Sequence, residues 1–230
     1  MLSGTLKLVS SMATREVLAA LAADYERSGG QHVATQAAGG VDVANRVQAG
    51  EAVDVVVLAG NAIDTLIAAQ RLLAGSRVDL VKSGVAVAVR AGAARPDIGS
   101  EAAVRRAVAA AKSLSYSTGP SGSYLEQLFE RWGILAQLRS RIVVPPPGVP
   151  VGTLVATGQV EIGFQQLSEL MNLPGIDIVG PLPPAIQTIT TFSGGIGVRC
   201  HDVDAARRLL QYMAAPATAA LKRRYGMEPA

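Results

Sequence analysis

The chain is poor in the residues that do covalent or metal chemistry. Its 230 residues include one cysteine, Cys200, and two histidines, His32 and His201. A single cysteine excludes an intrachain disulfide, which fits either a reducing compartment or an exported protein without disulfides. There is no Cys/His cluster with metal-ligand spacing, no G-x-x-x-x-G-K-[ST], and no G-x-G-x-x-G after the first strand, so no cofactor is expected. Gly119-x-Ser121-x-Ser123 lacks the final glycine of a nucleophile elbow, and no histidine follows it until His201. Cys200 and His201 are adjacent, and sequence neighbours rarely face each other usefully, which argues against a nucleophile–base pair.

Aromatics make up 4% of the chain and charged residues 17%, with 21 basic against 18 acidic residues and a net charge of +3. The basic pairs Arg105-Arg106, Arg207-Arg208 and Arg223-Arg224 are dispersed over helix-like segments. A nucleic-acid surface needs a basic stripe with stacking aromatics, so no nucleic-acid partner is expected. No apolar run approaches membrane-spanning length, so the chain is not expected to be embedded in a membrane. The start, Met1-Leu2-Ser3-Gly4, has no charged segment followed by a long apolar one. The expected location is periplasmic if an export signal has been removed, with the cytoplasm left open.

What the chain does have is hydrophobic residues (49%) and 24 glycines, in alternating strand-like and helix-like runs. Leu6–Val9, His32–Gln36, Asp54–Ala59 and Val85–Val89 read as strands. Between them, Met12–Ser28, Val41–Ala49 and Asn61–Leu73 have helical spacing. A second set follows: helix Glu101–Ala111, strand Leu114–Thr118, helix Tyr124–Trp132, strand Ile142–Val144, short helix Val151–Thr157, strand Ile162–Phe164, helix Gln166–Met171, and strands Ile176–Val179, Thr188–Phe192 and Ile196–Val198. Asp202–Tyr225 closes the chain as helix, broken at Pro216. The expected fold is α/β in two lobes with a ligand cleft between them; the family resemblance given below implies a lobe I of 1–90 and 191–230 and a lobe II of 91–190, with hinges near Arg90-Ala91 and Thr190-Thr191.

Four small-residue runs follow strands and precede helices: Ser10-Ser11, Gly39-Gly40, Gly119-Pro120-Ser121-Gly122-Ser123 and Gly148-Val149-Pro150-Val151-Gly152. A helix start offers free N–H groups and the positive end of the dipole, and small residues let an anion approach. The candidate donors are Ser10, Ser11, Thr118, Ser121, Ser123, Gln165 and Gln166, with the N–H groups of Gly40, Val41, Gly122, Val151 and Gly152. Taken singly, each serine is an ordinary cap and each glycine a turn; occurring jointly in two matching sets, they point to one site for a small anion.

The segments Leu6–Ala13, Val47-Gln48-Ala49-Gly50-Glu51-Ala52-Val53-Asp54 with its following strand, Gly119–Tyr124, Glu161–Phe164 and the tail Ala215–Gly226 resemble the molybdate-binding-protein-like branch of type II extracytoplasmic solute-binding proteins, a branch that includes aconitate isomerase. The resemblance implies a type II periplasmic-binding-protein fold, an ABC transporter permease as partner, and ligand contacts at Ser10 or Ser11, Gly39-Gly40, Ser121, Pro150-Val151, and Gln165 or Gln166. Two departures stand out: Gly39-Gly40 replaces a serine and Gln165-Gln166 a tyrosine. Both remove hydroxyl donors from a tetrahedral oxyanion, so an organic di- or tricarboxylate is expected rather than molybdate or tungstate. The alternative is an isomerase shifting a double bond in a tricarboxylate, with Asp42, Glu169, Tyr116 and Thr118 as candidate groups near the loops; a true molybdate or tungstate binder is the second alternative.

Overall fold

The computed structural model describes residues 4–146 and 148–230; the first three residues and the last of the three prolines at 145–147 lie outside them. The chain divides into two compact units, one of residues 1–83 and 190–230, the other of residues 84–189.

The first unit opens with β1 (Leu6–Ser11), a 3-10 turn at Met12–Thr14, α1 (Arg15–Arg27), β2 (Val33–Ala38), α2 (Gly40–Gln48), β3 (Val55–Ala59) and α3 (Gly60–Ala68). Strands β1, β2 and β3 are parallel, with Ser11 opposite Ala38 and Ser10 opposite Val57. Strand β3 is buried along its whole length, as a continuous Val/Leu run in mid-sheet requires. Successive residues alternate faces. Leu6, Leu8, Val55 and Val57 thus cluster with Leu18 and Leu21 of α1, while Val9, Val56 and Leu58 cluster with Val43 and Val47 of α2 and Ile63 and Leu66 of α3. Helix α3 ends at Ala68, earlier than its apolar spacing suggests, because Gln70 turns left-handed at φ 56°.

Strand β4 (Val78–Arg90) begins in the first unit and runs on into the second. There follow α4 (Glu101–Ala110), β5 (Leu114–Tyr116), α5 (Pro120–Arg131), α6 (Leu135–Leu138), α7 (Val151–Ala156), β6 (Ile162–Gln166), α8 (Leu167–Leu170) and β7 (Ile176–Pro181). Strand β6 is parallel to β5, with Tyr116 opposite Phe164, and antiparallel to β4, with Val87 opposite Phe164. Ser100 caps α4 by accepting the Ala103 N–H at 3.2 Å. The core gathers Val85, Val87, Phe164, Leu125, Leu128 and Phe129. Phe129 lies within 6.2 Å, centroid to centroid, of the Tyr116, Trp132 and Phe164 rings. Ile142–Val144, expected as a strand, contributes only a bridge from Ile142 to Leu114; Val144 is exposed, and the prolines that follow cannot donate to a ladder.

The chain returns to the first unit through β8 (Ile189–Ile196), which pairs antiparallel with β3, then α9 (Val203–Ala214), a 3-10 turn at Pro216–Thr218, α10 (Ala219–Arg224) and β9 (Glu228–Pro229). The two short strands read around Thr188–Phe192 and Ile196–Val198 are one strand, and the last strand is β9 rather than Ile196–Val198. Asp202 caps α9 through the Ala205 N–H at 2.9 Å.

Candidate functional site

In the first unit, three parallel strands end side by side and each runs into a helical turn. Ser10 and Ser11 end β1 and are buried, at 2% and 7% exposure. The Ser10 hydroxyl reaches the Ser11 carbonyl at 3.3 Å, and Ser11 Oγ and Thr14 Oγ1 are 3.4 Å apart. These are weak commitments that leave the hydroxyls available to a stronger acceptor. Gly39 caps α2 with extended backbone (φ −53°, ψ 135°) and Gly40 is its first residue. A Cβ on Gly40 would stand 3.5 Å from Ser11 Cβ, so the β1 and β2 ends are in contact range. Val41 follows on the surface. Asp42 leans back over Gly39: a Cβ there would meet its carboxylate at 2.8 Å. The place where a serine would stand thus holds a carboxylate, in the helix's first turn where the dipole favours it.

The β3 end was not foreseen from sequence. Ala59 caps α3 with φ −55° and ψ 140°, nearly the geometry of Gly39. The signal was the Ala59-Gly60 pair closing the most apolar strand, without the serine that marked the other runs. Gly60 is close to Arg77 and Ser193, an added Cβ meeting Arg77 Nη2 at 2.7 Å and Ser193 Oγ at 3.1 Å. Ser193 donates to Asp79 at 2.6 Å, and Arg77 is paired with Asp64 and Asp79. Ser193, then burial working against it and Arg77 with it, leave the Asp79 carboxyl below its ordinary pKa.

In the second unit, β5 and β6 end together. Ser117 follows Tyr116, and Gln165 follows Phe164, its neighbour across the ladder. Ser121, in the first turn of α5, is 2% exposed, and its hydroxyl pairs with that of Ser117 at 2.9 Å. Ser117 was the residue missed between Tyr116 and Thr118. Gly122 lies against the Ser117 peptide: a Cβ there would overlap its carbonyl oxygen and sit 2.8 Å from its carbonyl carbon. Only glycine lets α5 start so close to the strand that feeds it. Thr118 and Ser123 are exposed beside this turn.

Pro150 caps α7, and Val151, its first residue, is fully buried. The Gly152 N–H donates to Gln165 Oε1 at 3.4 Å, and Gln165 Nε2 donates to Glu169 Oε1 at 2.9 Å. These two partners fix the orientation of the carboxamide. Gln165 and Gln166 are each 3% exposed, and Gln166 caps α8.

The other chemical candidates go elsewhere. Tyr116 is in the core and donates to Glu126 at 3.0 Å; burial first, then that carboxylate, push its phenol above its ordinary pKa. Cys200 and His201 meet Asp54 rather than each other. His201 Nδ1 is 2.8 Å from Asp54 Oδ1, and burial pushes the Cys200 thiol up to about 11, away from the nucleophilic thiolate. Asp54 also accepts the Lys7 N–H at 2.8 Å and the His201 N–H at 3.2 Å. This cluster is a clamp at the amino end of β1, opposite the helix starts. Among the described residues, no helix is long and apolar enough to cross a membrane.

Two α/β units whose parallel strands end in serine- and glycine-lined helix starts have the pattern of a type II solute-binding fold. The chain belongs to the bacterial extracellular solute-binding protein family, which matches residues 6–228. It is 40% identical over 166 residues to an aconitate isomerase from a Pseudomonas species, an alignment covering 71% of this chain and 62% of that protein's length. In structure it is similar to the Azotobacter vinelandii periplasmic molybdate-binding protein (TM-score 0.80, 20% identity, 96% of this chain and 98% of the other). It is similar also to the substrate-binding domain of a putative molybdenum ABC transporter from Clostridium difficile (TM-score 0.76, 16% identity, 99% and 100%).

Proposed function

We propose that this protein captures a small organic polycarboxylate, a tricarboxylate of the aconitate type above all. Ser10, Ser11 and the Gly39–Val41 turn hold it in the first unit. Thr118, Ser121–Ser123, Pro150-Val151, Gln165 and Gln166 hold it in the second. The observation that carries the reading is the Gly152–Gln165–Glu169 chain. An amide and a carboxylate stand where a compact oxyanion would need a hydroxyl donor, and Asp42 does the same at Gly39. Acceptors inside an anion site suit a ligand that has hydrogen atoms and carbon as well as oxyanions. The 40% identical relative acts on such a ligand, whereas the two molybdenum-related proteins named above are 20% and 16% identical.

Five to seven charge-assisted bonds of about 1.5–3 kcal/mol each, set against association costs of about 4–15 kcal/mol, reach the roughly 8 kcal/mol of micromolar binding when the bonds are strong and the site is preorganised. An ABC permease receives the ligand. Isothermal titration with cis- and trans-aconitate, citrate, molybdate, tungstate and sulfate tests the reading: tricarboxylates bind at micromolar affinity and molybdate at least tenfold more weakly. Binding of molybdate alone overturns it. A second reading, catalysis of the 1,3 proton shift that interconverts the aconitates, is favoured by the identity of that relative.

A further inference from the structure

We infer that Glu169 is the proton carrier of the second unit's anion site, held in place by Gln165, so that the site is reactive as well as binding. The inference rests on the polycarboxylate reading and goes beyond it in assigning a chemical step to one side chain. Three observations converge on Glu169. It is half-buried in the short helix directly after β6, just beyond the point where β5 and β6 end side by side at Tyr116 and Phe164. Its Oε1 receives the Gln165 amide at 2.9 Å, and that amide is 97% buried and anchored at its other end by the Gly152 N–H, so the carboxylate has a fixed address. Of the other candidate groups, Tyr116 donates to Glu126, Cys200 and His201 meet Asp54 at the opposite end of the first unit's sheet, and Asp42 lies over Gly39 in the first unit, without a buried amide to hold it among the described residues.

The step balances without any other reactant. Glu169 takes a proton from the methylene that lies between a carboxylate and the alkene of the bound tricarboxylate. The C–H electron pair forms the new double bond, and the old π pair shifts to the far carbon, where its charge spreads into the adjoining carboxylate. Glu169 then returns the proton to that carbon. Hydrogen-bond donors on the carboxylates hold the charge in between, and the paired Ser117 and Ser121 hydroxyls are of the right kind. Gln165 is a positioning residue in this scheme.

The test is proton NMR of trans-aconitate with the protein in deuterated buffer, run beside isothermal titration. Wild type is expected to bind the ligand, exchange its methylene hydrogens and form the cis isomer. Glu169→Gln is expected to keep the dissociation constant within about threefold and lose about 10²–10⁴-fold of the exchange rate, the range general acid–base groups supply. Gln165→Met is expected to lower kcat about tenfold, a larger change than the rise in KM from the lost ligand contact, with the unfolding midpoint unmoved; a merely structural loss would shift the midpoint and leave no excess in kcat. If wild type binds no aconitate, the polycarboxylate reading fails. If it binds but neither exchanges nor isomerises, or if Glu169→Gln exchanges at the wild-type rate, the assignment of Glu169 fails while the binding reading stands.

Discussion

Replacing Gly122 with alanine should damage the second unit's site through one methyl group. The new Cβ would overlap the Ser117 carbonyl oxygen, lie 2.8 Å from its carbonyl carbon and reach Tyr116 Cδ2 at 3.1 Å. Two of these atoms are backbone and the third belongs to a packed ring, so none can step aside cheaply. Restoring ordinary contact moves the start of α5 or the Ser117 peptide by roughly 1.5 Å. That displacement breaks the 2.9 Å pairing of Ser117 with Ser121 and disturbs the Gly122 and Ser123 N–H bonds to the Gly119 carbonyl at 3.0 and 3.2 Å. Overpacking of this kind costs about 1–3 kcal/mol, and the better helix propensity of alanine returns about 0.5–1 kcal/mol. The net loss of about 1–2 kcal/mol lowers the thermal midpoint by roughly 3–6 °C at this chain length. Aconitate affinity falls further, by at least about tenfold, because two charge-assisted bonds are misaligned. Differential scanning calorimetry with and without aconitate reads both effects. Gly133→Ala is the control: its φ of +70° makes any side chain strained, but nothing stands within 4 Å of the new methyl, so it should lose stability without losing ligand. A Gly122→Ala protein that melts above wild type and binds normally would refute the close-approach argument.

Asp54→Ala should cost about 3 kcal/mol, since a buried carboxylate loses the Lys7, His201 backbone and His201 ring partners at once. Burial pushes the Asp54 carboxyl up, but the Lys7 and His201 N–H groups, the His201 ring and Cys200 outweigh it and hold the pKa below the ordinary value. Its contribution is therefore complete above pH about 3.9 and is lost as pH falls through the lower folded value. Urea midpoints between pH 7 and 2 should fall more steeply in wild type than in Asp54→Asn, and equal slopes would contradict this. Lys222, in α10, is 1% exposed with no carboxylate partner among the described residues, and burial lowers its pKa. The unfolded chain then binds the extra proton, so stability should rise with pH until the unfolded lysine titrates near about 10.4. Lys222→Met should gain at least about 1 kcal/mol at pH 7 and lose that alkaline slope; denaturant titrations at pH 7, 9 and 10.5 check it, and an unchanged slope would count against it.

The parts of this molecule legible in the sequence were those governed by local rules. The continuous Val55–Ala59 run reads as a mid-sheet strand because both faces must be covered. The serine and glycine runs read as helix starts because backbone N–H groups need small neighbours. What stayed hidden depends on distant partners. Strand β4 starts at Val78, well before the apolar run Val85–Val89, and its first half, where Asp79, Lys82 and Ser83 interrupt the apolar residues, is recognisable only through its neighbours β8 and β9. Ile142–Val144 has strand composition but joins β5 only by the single Ile142–Leu114 bridge. Ser117 and Ala59-Gly60 acquire meaning from the strand ends beside them. Glu169 was visible as an acid near a loop, but the Gln165 amide that fixes it is a tertiary fact.

Strand β4 crosses from one unit to the other without a break, and β8 brings the chain back. The second unit is thus an insertion whose two ends are stapled together: the Gln187 side chain accepts the Val85 N–H at 2.9 Å and donates to the Val85 carbonyl at 3.0 Å. A nascent chain therefore has all of the second unit's residues by position 189. The first unit, although it begins earlier, must wait for β8, α9 and β9 to complete its sheet and cover its α1 face. The order of maturation runs opposite to the order of synthesis, and the segment 84–189 is the natural piece to transplant into another host or to express alone.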